Sequence, residues 1–146
     1  MSKREVMSKI EIVEKSDPEL VRFLDERIAE YNWQHWEVSQ RLPLAVQLKN
    51  DQGEIIAGCS GRTFGNWLQI NTLWVCESLR GQSIGKELLE LMESQAVKRG
   101  CNRAILDTLN FQAEPFYRKL GYKTEWVQED YPKTGCKYFM TKGLVE

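Results

Sequence analysis

The chain has 146 residues, 42% apolar and 28% charged, with a formal net charge of −1 at pH 7. That length suits one domain around a single core, and the near-zero charge gives no footing for nucleic acid or an anionic membrane as partner. No apolar run approaches the roughly 18–20 residues that span a bilayer. Met1–Val6 are charged and lack the apolar stretch of a signal peptide, so a cytoplasmic location is expected. The cysteines, Cys59, Cys76, Cys101 and Cys136, are irregularly spaced, and His35 is the only histidine. Neither a metal site nor a disulfide framework is expected from that set.

A second Met-Ser-Lys stands at Met7-Ser8-Lys9, and residues 1–9 read as a flexible arm ahead of a domain over 10–146. Ile10–Glu14 alternates apolar and charged residues, which predicts a first strand. Asp17 or Ser16 as N-cap, with Pro18 in the first turn, opens a helix that carries Leu20, Val21, Leu24, Ile28 and Tyr31 to about Trp33. Residues 33–42 are irregular and aromatic. Leu44–Leu48 and Glu54–Cys59 flank the turn-forming Asn50-Asp51-Gln52-Gly53, which predicts a hairpin. A fourth strand follows over Trp67–Val75. The periodic run Ser83–Arg99 predicts a helix stopped by Gly100, with Ile84, Leu88, Leu91, Met92 and Ala96 on one face. A short strand at Ala104–Leu106, a brief helix over Glu114–Leu120 ended by Gly121, and two strands at Tyr122–Gln128 and Lys137–Thr141 complete the chain. The order is β-α-β-β-β-α-β-α-β-β, an α/β class.

The segment Arg80-Gly81-Gln82-Ser83-Ile84-Gly85 lies between the fourth strand and the long helix. A Gly-containing turn that opens onto a helix presents several backbone N–H groups at the helix N-terminus, a natural cradle for phosphate. An ordinary capped turn is the alternative reading of the same residues.

The element order, this turn and the segment Asn110-Phe111-Gln112-Ala113-Glu114-Pro115-Phe116-Tyr117-Arg118-Lys119-Leu120-Gly121-Tyr122 together resemble the GNAT superfamily of acetyl-CoA-dependent N-acetyltransferases. The family's cofactor motif reads Arg/Gln-x-x-Gly-x-Gly/Ala, and its later motif reads Asn…Ala…Phe-Tyr-x-Lys-x-Gly-Phe/Tyr. The resemblance spans about residues 10–145. It implies a single-domain, mostly antiparallel mixed sheet of about seven strands flanked by helices, with the fourth and fifth strands splayed apart. Ser83 departs from the motif, which has glycine there. A side chain at that point crowds the ligand or shifts the turn, whereas a serine hydroxyl can cap the helix or donate to a phosphate.

By this resemblance, the turn at Gly81 and the main-chain amides of Gln82, Ser83, Ile84, Gly85 and Lys86 hold the pyrophosphate of acetyl-CoA. Arg80 and Lys86 either add ionic contacts or form a solvated basic pair. The pantetheine arm pairs like an added strand with the backbone of Leu73 and Val75, whose side chains are core residues. Tyr117 matches the frequent general acid that protonates the departing thiolate, with a packing tyrosine as the alternative. Asn110 matches a cofactor contact, or else serves as a cap or turn residue. Glu77 is a candidate base acting through a water, with Glu37 and Asp107 as alternatives; a solvated or capping carboxylate explains each one too. Trp33, Trp36 and Glu37 are candidates for the acceptor pocket, since aromatic walls with an acid suit a cationic amine. The same tryptophans also read as core anchors.

The implied activity is transfer of an acetyl group from acetyl-CoA to a primary amine of a small molecule or peptide, by direct attack and without a metal. No cysteine has a nearby histidine in sequence to support a covalent route. A non-catalytic CoA-binding or regulatory module of the same fold is the alternative, and an interaction domain without cofactor is a third. Pairing of the C-terminal strands across a two-fold would give a homodimer.

Overall fold

The computed structural model describes residues 2–7 and 9–145. Met1, Ser8 and Glu146 lie outside the described residues, so the arm expected over 1–9 and the domain expected over 10–146 are described without them. The chain divides into two compact units between Ser39 and Gln40.

In the first unit a short helix, α1 (Lys3–Met7), falls within the expected arm. The N–H of Glu5 donates to the Ser2 hydroxyl and the N–H of Ser2 donates to the Glu5 carboxylate, each at 3.2 Å. This reciprocal capping box closes the first turn. The second helix, α2 (Pro18–Trp33), begins as its sequence indicates: Asp17 accepts from the N–H of Leu20 at 3.0 Å, with proline in the first turn.

The strand expected at Ile10–Glu14 is not formed. Ile10 and Ile12 are 70% and 86% exposed. Alternation supplies a face but not a neighbour, and strand backbone is stable only where another strand completes its ladder. The sheet therefore has six strands, not about seven.

The second unit holds that sheet. Its strands are β1 (Leu42–Lys49), β2 (Ile55–Phe64), β3 (Trp67–Val75), β4 (Arg103–Leu109), β5 (Lys123–Glu129) and β6 (Cys136–Gly143), in the spatial order β1-β2-β3-β4-β6-β5. In the β1–β2 turn Asn50 Oδ1 accepts from the amides of Gln52 and Glu54, and Gly53 supplies φ +80°. A bulge between Ser60 and Gly61 needs the glycine, because a Cβ at Gly61 would stand 2.1 Å from the Gln69 carbonyl oxygen.

The helix α3 (Ile84–Lys98) carries the chain from β3 to β4, the one parallel pair among the described residues. It packs across β1–β3 with Leu88, Leu89, Met92 and Ala96 buried. Burial of Leu89 and Met92, both 0% exposed, contributes about 1.5–3 kcal/mol each. The short helix α4 (Glu114–Lys119) follows β4 and buries Tyr117.

The parallel pair keeps register only over Trp67↔Arg103, Leu68↔Ala104 and Gln69↔Ile105. Its lower end is pinned by the Asn66 carbonyl, which accepts from the amides of Asn102 and Arg103 at 2.9 and 3.1 Å. Above Gln69, β3 stays with β2 as far as Val75↔Ala57, and β4 stays with β6 as far as Leu109↔Lys137. Each strand follows its antiparallel partner, so the two part toward their C-terminal ends. This is the splay that the resemblance implies, and the open carboxyl end of parallel strands is where α/β sheets take ligands.

Candidate active site

The start of α3 is set by two left-handed residues, Gly81 at φ +81° and Ser83 at φ +65°. Ser83 is the N-cap residue, yet its side chain makes no cap hydrogen bond. The hydroxyl cap anticipated for Ser83 is therefore absent, because the left-handed backbone turns the side chain away from the first-turn amides. The Ser83 carbonyl accepts from the amide of Glu87 at 3.1 Å and begins the helical ladder. Among the described residues, none accepts from the N–H groups of Gln82, Ser83, Ile84, Gly85 and Lys86. Five open donors at the positive end of a 15-residue helix favour an anion.

Ser83, Ile84, Gly85 and Lys86 border a cavity of about 720 Å³ between α3, α4 and the free edge of β3. Of the positions expected to hold the cofactor, Leu73, Val75, Arg80, Gly81, Ser83, Ile84, Gly85, Lys86 and Tyr117 all line it. The strand edge faces the cavity through its backbone. The amide of Cys76 donates to the Ile56 carbonyl on β2 at 2.9 Å. Strand alternation then turns the peptide groups of Leu73 and Val75 the other way, toward the gap left by β4. Arg80 confirms that orientation, because its Nε donates to the Val75 carbonyl at 3.1 Å.

Tyr117 is buried at the inner end, edge-on to Phe116 and Tyr122 at 5.2 and 5.9 Å between ring centroids. Burial first, then the charges of Cys59 and Asp107, push its hydroxyl up to about 12. The phenol therefore stays protonated through neutral pH and can donate to a group in the cavity. Cys59, buried beneath it, is pushed up to about 11 by burial and by Glu93, so its thiol is also neutral.

Other expected residues lie elsewhere. The side chain of Gln82 turns back to donate to the Ser78 carbonyl at 3.3 Å and does not line the cavity. Asn110 serves the β5–β6 loop: its Oδ1 accepts from the Cys136 amide at 3.3 Å and its own amide donates to the Cys136 carbonyl at 3.0 Å. Glu77 is exposed on a short 3-10 turn, Glu77–Leu79, outside the cavity lining. Asp107 is exposed near the end of β4, on the strand that borders the splay. Trp33 ends α2, and Trp36 and Glu37 follow it within the first unit. All the lining residues belong to the second unit.

Sequence reasoning missed Trp74, Leu79, Ala113, Phe116, Lys119 and Leu120, which also line the cavity. Phe116 stands over Gly85, where a Cβ would meet its Cζ at 3.4 Å. Lys119 adds a third cation beside Arg80 and Lys86. The signal for both was present, since residues three apart share one face of a helix.

The family model described as acetyltransferase (GNAT) family matches residues 7–122. An acetyltransferase of Agrobacterium fabrum is 33% identical over 107 residues, covering 73% of this chain and 78% of that protein. The blasticidin-S acetyltransferase of Streptomyces morookaense is 32% identical over 95 residues, covering 64% of this chain and 70% of that one. A crystal structure of an acetyltransferase from Bacillus cereus superposes with a TM-score of 0.82 at 30% identity, covering 91% of this chain and 97% of that chain.

Proposed function

This chain belongs to the acetyltransferase (GNAT) family, and from that premise we propose that it moves an acetyl group from acetyl-CoA to a primary amine of a small molecule by direct attack. The observation that carries this reading is the set of four open amides at residues 83–86, on the wall of a cavity that also takes in a protonated Tyr117. The residues present fit such a co-substrate. The amides with Arg80, Lys86 and Lys119 suit a diphosphate. The peptide groups of Leu73 and Val75 suit the amides of an extended arm. Bound there, the thioester supplies an acyl carbon open to a neutral amine.

Tyr117 donates a hydrogen bond toward sulfur as charge gathers there, and its proton passes to the departing thiolate. Because its pKa is well above neutrality, the transfer follows the growth of that charge and does not precede it. An incoming ammonium must lose a proton before attack, since free amines titrate near 10.4. Glu77, acting through a water, is the proposed base, with Asp107, on the strand that borders the splay, as the alternative. A relative named for acetylating blasticidin-S supports a discrete compound as acceptor.

Acetyl-CoA at about 100 times its dissociation constant is expected to add roughly 2.7 kcal/mol of stability, roughly 8 °C in melting temperature. Thiol release with a panel of primary amines is expected to identify an acceptor. A melting shift with no turnover on any amine would support the regulatory module instead, and no shift at millimolar acetyl-CoA would remove the cofactor assignment.

A further inference from the structure

The bond from Arg80 Nε to the Val75 carbonyl occupies the acceptor that an extended arm would need. Val75 is the last residue of β3, paired with Ala57 on one side. Its carbonyl faces the side from which β4 has withdrawn, and there Arg80 takes the place of a strand. Arg80 is exposed, and among the described residues it is in no ion pair with a carboxylate. Its guanidinium therefore has donors to spare at the mouth of the cavity, beside the open amides of residues 82–86.

We propose that Arg80 is a two-position residue that couples the two halves of the ligand site: it closes the Val75 carbonyl in the free protein and releases it when a diphosphate arrives. This rests on the acyl-CoA reading given above. The physical reason is a difference in partner. A guanidinium gains more from a diphosphate, through charge-assisted paired bonds, than from one neutral carbonyl. Once Arg80 moves to the phosphates, the carbonyl is free to accept an amide N–H of the arm. The arm alone must first break the Arg80 bond. Diphosphate and arm therefore bind with positive cooperativity, each raising the affinity of the other by the same factor. The arrangement also disfavours thioesters that carry no diphosphate.

Titration of the full chain with pantetheine, which has the arm and no phosphate, tests the coupling by calorimetry or amide chemical shifts. In the wild type, saturating inorganic pyrophosphate is expected to tighten pantetheine about five-fold, the worth of one neutral hydrogen bond. In Arg80→Ala, pantetheine alone is expected to bind about as tightly as it does to the wild type with pyrophosphate, with no further gain from pyrophosphate. Coenzyme A is expected to bind the variant more weakly. Arg80→Met keeps the aliphatic stem and repeats the test should Arg80→Ala not fold. A carbonyl oxygen can accept two bonds; if it accepts both here, wild-type pantetheine affinity will be indifferent to pyrophosphate, and the proposal is overturned. Weaker pantetheine binding in the variants overturns it too, while coenzyme A binding to the wild type still upholds the acyl-CoA reading. Failure of the wild type to bind either coenzyme A or pantetheine sinks both.

Discussion

The hydroxyl of Tyr122 donates to a carboxylate oxygen of Glu93 at 2.7 Å, inside the core. Lys142 donates to the other oxygen of Glu93 at 2.9 Å, so α3, β6 and the turn after α4 meet at one buried charge. Removing one member leaves that charge short of a partner, whereas removing both members of the ion pair does not. Lys142→Met is expected to cost about 3 kcal/mol in urea unfolding. Glu93→Leu with Lys142→Met is expected to recover much of that loss, and strict additivity of the two single changes would contradict the coupling.

Tyr122 also closes the end of α4, its amide donating to the Tyr117 carbonyl at 3.1 Å. Tyr117 itself is the proposed proton donor, and Tyr117→Phe is expected to lower kcat about 10²–10⁴-fold with a smaller change in KM. The sign of its pH dependence follows from a pKa raised to about 12: the donor is intact below that value and is lost above it. No alkaline fall in kcat traceable to Tyr117 is expected below about pH 10. A fall near pH 9 that vanishes in Tyr117→Phe would contradict the raised pKa, whereas an unchanged kcat in Tyr117→Phe would exclude the role.

Stability at alkaline pH follows the same direction. Cys59 is held neutral up to about 11 in the folded chain, above its ordinary value, so folding favours the protonated thiol. That contribution is complete below about pH 8.5 and fades as pH rises through about 11. Melting temperature is expected to drop across this window. In Cys59→Ala the drop is expected to be shallower, although the variant starts lower at pH 7 because of the cavity it leaves. Equal slopes for the two proteins would contradict the assignment.

Ser83 holds φ +65° without a side-chain bond in return. Left-handed backbone costs a residue with a Cβ about 1–2 kcal/mol, part of which glycine gives back through its greater freedom when unfolded. Ser83→Gly is expected to raise stability by up to about 1 kcal/mol and to leave acetyl-CoA binding equal or tighter. Weaker binding would show that the hydroxyl itself touches the ligand. Paired thermal melts with and without acetyl-CoA distinguish these results.

Gly85 separates stability from binding. A Cβ there would make ordinary contact with Phe116 at 3.4 Å and Val75 at 3.8 Å, and alanine favours a helix by about 1 kcal/mol. The same methyl narrows the cavity where the phosphates are placed. Gly85→Ala is expected to melt higher alone yet gain less from acetyl-CoA; a full ligand shift would place the diphosphate elsewhere.

Local chemistry made several elements readable before any coordinates. Asp17 and Pro18 announce α2, and Asn50 and Gly53 announce the first hairpin. The Arg80–Gly85 segment announces a turn into α3, because a cap, a glycine and a 3.6-residue period act within a few residues of one another. Ile10–Glu14 misled because its alternation was real, yet among the described residues it forms no strand pairing. Asn110 has the right chemistry for a ligand contact, yet Cys136, 26 residues on, claims its side chain.

What the chain settles on its own is therefore local: which residues open and close each helix, and that positions 82–86 carry backbone donors with no helical partner. Which groups those donors face was decided by packing. The divergence of β3 from β4 arises because each strand follows a different antiparallel neighbour, a long-range choice with no trace in either strand's residues. The same packing lays Phe116 over Gly85, buries Tyr117 until its proton is held, and turns Arg80 onto the carbonyl of Val75. Distance in space and removal of water set those properties, and both exist only once the sheet has closed around its core.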